Sequence, residues 1–194
     1  MTPITPTTEL EAINRMLAVI GESPVNSSQV SGNLDANDAQ TLIRSVSREL
    51  QSKGWAWNRE EDYKLVPDSN GYIPLPTNLL KLEIVEHNTG GAEPVVRGSR
   101  LYDPVNHTYV FTQSVRARLT VGLNFDELPE PVRQYVYTLA GHLFQSEKVG
   151  SPTIGQFTAD RVKQAKVALL TDETEAAQYN VLYDNSTGLS IVSR

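Results

Sequence analysis

Apolar residues recur at two different periods along this chain, helical towards both ends and alternating in the middle. In residues 35–58, DANDAQTLIRSVSRELQSKGWAWN, the positions Ala36, Ala39, Ile43, Val46 and Leu50 advance by threes and fours. On an α-helix that spacing lines them along one narrow seam, which needs partner helices to cover it. Asp35 is a suitable N-cap and Gly54 can adopt the left-handed conformation that closes a helix, so start and stop signals agree with the period. Trp55-Ala56-Trp57 follows directly, and an extended exit puts both indoles on one side, as a joint between two layers. Upstream, Leu10, Ile13, Leu17 and Ile20 mark a shorter amphipathic helix ending at Gly21, with Pro24 just beyond. Residues 22–34 are rich in Ser, Asn and Gly and read as the loop that completes a helical hairpin.

From Arg59 to Glu127 the period falls to two. Leu80, Leu82 and Ile84 alternate with Lys81 and Glu83, and Ala117, Leu119, Val121 and Leu123 alternate with Arg118, Thr120 and Gly122. Each set makes a half-buried strand. Tyr63 and Leu65, Tyr72 and Ile73, Val95 and Val96, and Tyr109 and Phe111 are shorter candidates. Turn signals at Pro67-Asp68, Asn88 to Gly91, Gly98 and Asp103-Pro104 separate them, which suggests an antiparallel meander or small sandwich.

Helical spacing resumes after Pro129-Glu130-Pro131. Val132, Val136, Leu139 and Leu143, widened by Tyr135, Ala140 and Phe144, form a broad apolar stripe that stops near Gly150. Ser151-Pro152 supplies a cap and a first-turn proline for a last helix, predicted to reach about Gln178 with Val162, Ala165 and Leu169 inward. The expected fold class is therefore α+β. The N- and C-terminal helical hairpins form a four-helix bundle from residues 1–58 and 128–180, an antiparallel β domain is inserted at 59–127, and residues 181–194 are an extended tail. The tail carries Val181, Leu182, Leu189, Ile191 and Val192 without a helical period, so it either packs on its own domain or, as the favoured reading, contacts a neighbouring subunit or partner through these residues.

Charge narrows the function classes. With 23 acidic and 17 basic side chains the net charge is −6, which argues against binding nucleic acid by neutralising its phosphates. No run is long enough to span a membrane, and the N-terminus lacks the basic start and apolar stretch of a signal peptide, so the expectation is a soluble protein made in the cytoplasm. Cysteine is absent, and His87, His107 and His142 are too scattered for a zinc site, so neither a metal nor a cofactor is expected.

Candidate chemistry is sparse. Trp55 and Trp57 could stack on sugars or bases, but packing between helix and sheet is the favoured reading. Glu60, Glu61 and Asp62, with Asp126, Glu127 and Glu130 at the other domain crossing, could supply the two carboxylates of a glycosidase. Acid runs beside strand ends are more often solvated surface. Gly90-Gly91 lacks the following helix and Lys of a phosphate cradle, and no serine sits in a nucleophile elbow. His142 reads as a hydrogen-bonded histidine at a helix interface. Arg97, Arg100, Arg116 and Arg118 could reach phosphates as a DNA clamp, although strand arginines usually pair with nearby acids.

One set of residues carries a resemblance. Ile13-Asn14, Leu17, Ile20-Gly21-Glu22 and Pro24-Val25 form a first block, and Arg48, Gln51, Gly54-Trp55 and Asn58 a second. Leu128-Pro129-Glu130 with Arg133, then Tyr179-Asn180, complete it. Over nearly its whole length the chain resembles the tail tubular protein A family of short-tailed bacteriophages (podoviruses of the Autographiviridae type). The resemblance implies a structural protein of the virion tail and no enzyme. It implies a dodecameric adaptor or gatekeeper ring between the portal ring and the tail tubular protein B nozzle, around a channel that double-stranded DNA crosses without specific binding. It also implies architectural roles at the matched positions: Gly21 and Gly54 end helices, Trp55 packs the joint that Trp57 is expected to share by its position, and Pro129 with Glu130 restarts the bundle. The competing expectation is a virion-associated glycoside hydrolase acting on capsule or cell-wall polysaccharide through the six carboxylates named above.

Overall fold

The computed structural model describes residues 5–27, 30–88 and 90–184. The chain divides into two compact units, one of residues 1–50 with 124–194 and one of residues 51–123. The protein is α+β, its helices in the first unit and its antiparallel sheets in the second.

The helical unit contains α1 (Glu9–Ile20), α2 (Leu34–Gln51, whose last residue opens the second unit), α3 (Glu130–Lys148) and α4 (Pro152–Asp184). Thr8 caps α1 through a capping box, its hydroxyl accepting from Glu11 N at 3.2 Å while Glu11 Oε2 accepts from Thr8 N at 2.9 Å. At the other end Gly21 closes the helix at φ +83°, a conformation that costs a β-carbon-bearing residue. The seam of α2 is buried throughout, at Ala36, Ala39, Ile43, Val46 and Leu50. Its cap is Asn33 and not Asp35: Asn33 Oδ1 accepts from Ala36 N at 2.9 Å. Asp35 sits in the first turn and binds Lys148, which also binds Asp38. Hydrogen bonds to those two carboxylates hold the Lys148 ammonium proton more tightly than usual.

Helix α3 is the centre of this unit, packed against both α1 and α4. These contacts support a narrower statement than the four-helix bundle expected from sequence. Its buried stripe is Val132, Val136, Ala140 and Phe144 with Arg133 and Gln145, while Leu139 is only half-buried and Leu143 is exposed. Helix α4 fully buries only Leu169 among its described side chains and leaves Ile154, Phe157, Val167 and Leu170 exposed. It continues six residues beyond the Gln178 end expected from sequence, so Val181 and Leu182 belong to the helix, while Leu189, Ile191 and Val192 lie outside the described residues.

The second unit holds β1 (Arg59–Leu65), β2 (Leu79–Glu86), β3 (Val95–Arg97), β4 (Arg100–Tyr102) and β5 (Val115–Val121). The strands are antiparallel, but the three-stranded sheet runs β1-β5-β2, with the last strand in the centre, and β3 and β4 form a separate hairpin. A sequential meander is thereby replaced. The reason is burial: β5 carries Val115, Ala117, Leu119 and Val121, all buried, and is the best suited of the three strands to lie between two neighbours. A register shift between Leu79 and Lys81 turns Leu79 inward with Leu82 and Ile84, leaving Leu80 off the alternation expected of it. Leu65, Ile73, Leu75, Leu101 and Phe111 close the core over β5. Strand β4 has no counterpart among the sequence candidates, and Tyr72 and Tyr109 lie outside regular strands.

Candidate functional site

The six candidate carboxylates are divided between the two units, Glu60, Glu61 and Asp62 in one and Asp126, Glu127 and Glu130 in the other. Asp62 sits at φ +56° in the bulge of β1, where its side chain binds Arg116. Glu61 binds Arg118 and Arg59, and Glu60 is exposed. In the helical unit Asp126 Oδ1 accepts from Glu9 N at 3.0 Å and Glu127 Oε2 accepts from Asn124 N at 2.7 Å. Glu130 accepts from both the backbone and the hydroxyl of Thr7 at 2.8 Å, and from Gln134 at 3.1 Å. Partial burial works to raise the Glu130 pKa, but the Thr7 hydrogen bonds, Gln134 and the charge of Arg133 outweigh it and leave the carboxyl below its usual range.

That depression has a testable sign. A carboxyl held more acidic in the folded than in the unfolded state stabilises the fold above its unfolded pKa, and the contribution disappears as pH falls through the folded value. Glu130→Gln should therefore lower the thermal midpoint at pH 7 and leave a smaller loss between pH 5 and pH 3 than wild type shows. Thermal melts across that range check it; parallel pH profiles would exclude the assignment.

The strand arginines divide into two kinds. On β5, Arg116 is held by Asp62 and Glu86, and Arg118 by Glu61 and Glu83. These bonds hold both guanidinium protons more firmly, while hydrogen bonds from Lys81 and Arg118 keep Glu83 below its usual range. This face of the sheet is a compensated lattice with little cation to spare for phosphate. Arg97 and Arg100, on the hairpin, stack on tyrosines instead.

Gly54 has φ +76°, and its N–H donates to Gln51 O at 3.1 Å. Trp55 and Trp57 are half-buried and stacked, with ring centres 6.4 Å apart. Trp55 itself is extended, at φ −104° and ψ 164°, and the 3-10 turn Ala56–Asn58 follows it. Pro129 precedes α3 as its N-terminal cap residue and Pro131 lies in the first turn. His142 Nδ1 is 2.8 Å from Thr158 Oγ1, joining α3 to α4.

Sequence reasoning gave no role to the side chains that carry the most polar work. Arg133 is buried on the apolar face of α3 and donates to three carbonyls, Leu128 O at 2.6 Å, Thr7 O at 2.7 Å, and Asp126 O. Asn58 is 1% exposed; its Nδ2 donates to Gln51 O at 2.9 Å and Val121 O at 3.0 Å, and its Oδ1 accepts from Trp55 N at 2.8 Å. Gln51 pairs with both backbone groups of Leu123, at 2.7 and 3.0 Å, which fastens the first residue of the sheet unit to its last. Asn14 does the same for the loop after α1, bonding Val25 N and O at 2.8 and 2.9 Å. The available signal was the resemblance itself, whose matched residues include Asn14, Gln51, Asn58 and Arg133.

The described residues thus show polar side chains committed to backbone, charge compensated on one face of the sheet and apolar surface left exposed on α4. A family model described as "Tail tubular protein" matches residues 10–179, and the chain belongs to that family. The chain is 31% identical over 135 residues to Tail tubular protein A of Klebsiella phage KP34, covering 68% of this chain and 69% of the other. It is a structural component of a bacteriophage tail. The polysaccharide hydrolase expected as the alternative finds no support in either comparison.

Proposed function

We propose that this chain is the subunit of the adaptor, or gatekeeper, ring between portal and tail nozzle, assembling as a dodecamer around the channel through which DNA is retained and then ejected. The observation that carries the reading is the family match, which runs through both units from residue 10 to 179. Its partners are then the portal ring, the tail tubular protein B nozzle and further copies of itself. The exposed Phe157, Val167 and Leu170 of α4 suit a surface that is covered on assembly. A net charge of −6 and two arginines each clasped by two carboxylates suit a wall past which DNA slides. No helix among the described residues is long and apolar enough to cross a membrane.

Native mass measurement of the purified chain, alone and mixed with the portal ring of the same virus, tests the reading. The expected result is a monomer or small oligomer, short of a closed ring, that converts to a stoichiometric ring, twelve copies to one portal ring by the family resemblance, on mixing. A portal ring whose mass is unchanged by excess chain would overturn it.

A further inference from the structure

The β3–β4 hairpin presents an unusual outer face. Arg97 lies directly opposite Arg100, and Val95 opposite Tyr102, so all four side chains share one side of the ribbon while Leu101 fills the core on the other. The Arg97 guanidinium carbon stands 3.6 Å from the centre of the Tyr102 ring, and that of Arg100 stands 4.6 Å from the centre of Tyr72. Stacking orients each guanidinium and leaves its N–H edge available. Both arginines are exposed, and neither forms an ion pair with a carboxylate among the described residues, although opposed like charges repel. Exposed Val95, Tyr109 and Val110 add to this surface a mixture of Arg, Tyr and aliphatic groups typical of protein contacts.

Opposite charge in the same format occurs on α4. From Thr171 to the end of the helix at Asp184 the chain has acids and no Lys or Arg. Asp172 and Glu175 are exposed, three residues apart, and free of ion pairs among the described residues. Side chains so spaced stand about 5–6 Å apart on a helix, close to the roughly 5 Å between directly opposed residues of a hairpin. We infer that the Arg97–Arg100 face of one copy docks on Asp172 and Glu175 of a second copy, a heterologous contact of the kind that generates rings. This builds on the ring reading by naming the surfaces that meet. DNA is the poorer occupant: Arg97 and Arg100 lie over Tyr102 and Tyr72, Tyr109 packs its ring edge against Tyr102 with centres 4.9 Å apart, so no open platform is left for a base, and two cations on a chain of charge −6 make a weak phosphate site.

Sedimentation of the full chain without portal tests the contact apart from the adaptor reading, whose failure would appear as self-association without portal binding. Two charge-reversed variants are compared, Arg97→Glu/Arg100→Glu and Asp172→Lys/Glu175→Lys. Each alone should associate at least tenfold more weakly than wild type at about 0.1 M salt. Their mixture should recover association, because each reversed face meets its reversed counterpart. Unchanged melting curves establish that the variants fold. Wild type that never self-associates, an arginine variant that associates as wild type does, or a mixture that fails to recover would each overturn the inference. So would salt-sensitive binding of a fluorescent DNA duplex that the arginine variant loses.

Discussion

Replacing Arg133 with Met is expected to destabilise the helical unit by about 3–5 kcal/mol. The guanidinium reaches three backbone carbonyls, two of them in the turn before α3 and the third at Thr7, 126 residues away in sequence. Methionine fills similar space but leaves all three carbonyls without their donor in a site that is 8% exposed. The loss should appear as a fall of about 10 °C or more in the thermal midpoint. Arg133→Lys should recover only a minor part, because an ammonium on a flexible stem does not reproduce the planar fork that spans three acceptors. A midpoint within a degree of wild type for Arg133→Met would mean that the carbonyls find other donors and the network is not stabilising.

Asn58→Asp is expected to cost the sheet unit about 3–5 kcal/mol at pH 7, although it changes one heavy atom. The Oδ1 that accepts from Trp55 N is retained, so the variant isolates the amide donor. In its place a carboxylate oxygen would face the carbonyls of Gln51 and Val121 in a buried site. Desolvation and those two acceptors both disfavour the charged form, so the folded-state pKa of the new acid rises above the ordinary value of about 3.9. A raised carboxyl penalises the fold above its folded pKa, and the penalty shrinks as pH falls towards the unfolded value. The variant should therefore regain stability relative to wild type between pH 7 and pH 5, the opposite sign to the contribution of Glu130. Denaturant unfolding at both pH values measures it; a deficit independent of pH would show that the site admits water. Asn58→Ala, with no charge to titrate, should be destabilised equally at both.

The residues that were legible from sequence share a property: their environment follows from their own neighbours. The seam of α2 is buried at each of its five named positions because a helix presents every third or fourth residue to the same side. Gly21 and Gly54 take positive φ where the periodicity stops. On α3 the same logic reached too far, since it assigned Leu143 to the core and passed over Arg133 and Gln145, which are buried. Periodicity locates a face but does not specify its width or which polar side chains will be satisfied there. Asn33 displaced Asp35 as the cap of α2 for a comparable reason, since either side chain can cap and the choice depends on where the first turn forms.

By itself the sequence determined the α+β class, the positions of the long helices and of strands β2 and β5, the alternation of β5, and membership of a phage tail family carried by scattered Gly, Pro, Trp and polar positions. Only the tertiary structure decided that β5 is central, that Arg116 and Arg118 are paired with carboxylates while Arg97 and Arg100 have no such partner among the described residues, and that Arg133, Asn58 and Gln51 fasten distant backbone. The physical reason is range. Helical and alternating periods arise from backbone geometry repeated over a few residues, whereas a hydrogen bond or ion pair stabilises only when both partners arrive at about 3 Å, and chain folding sets which partners arrive.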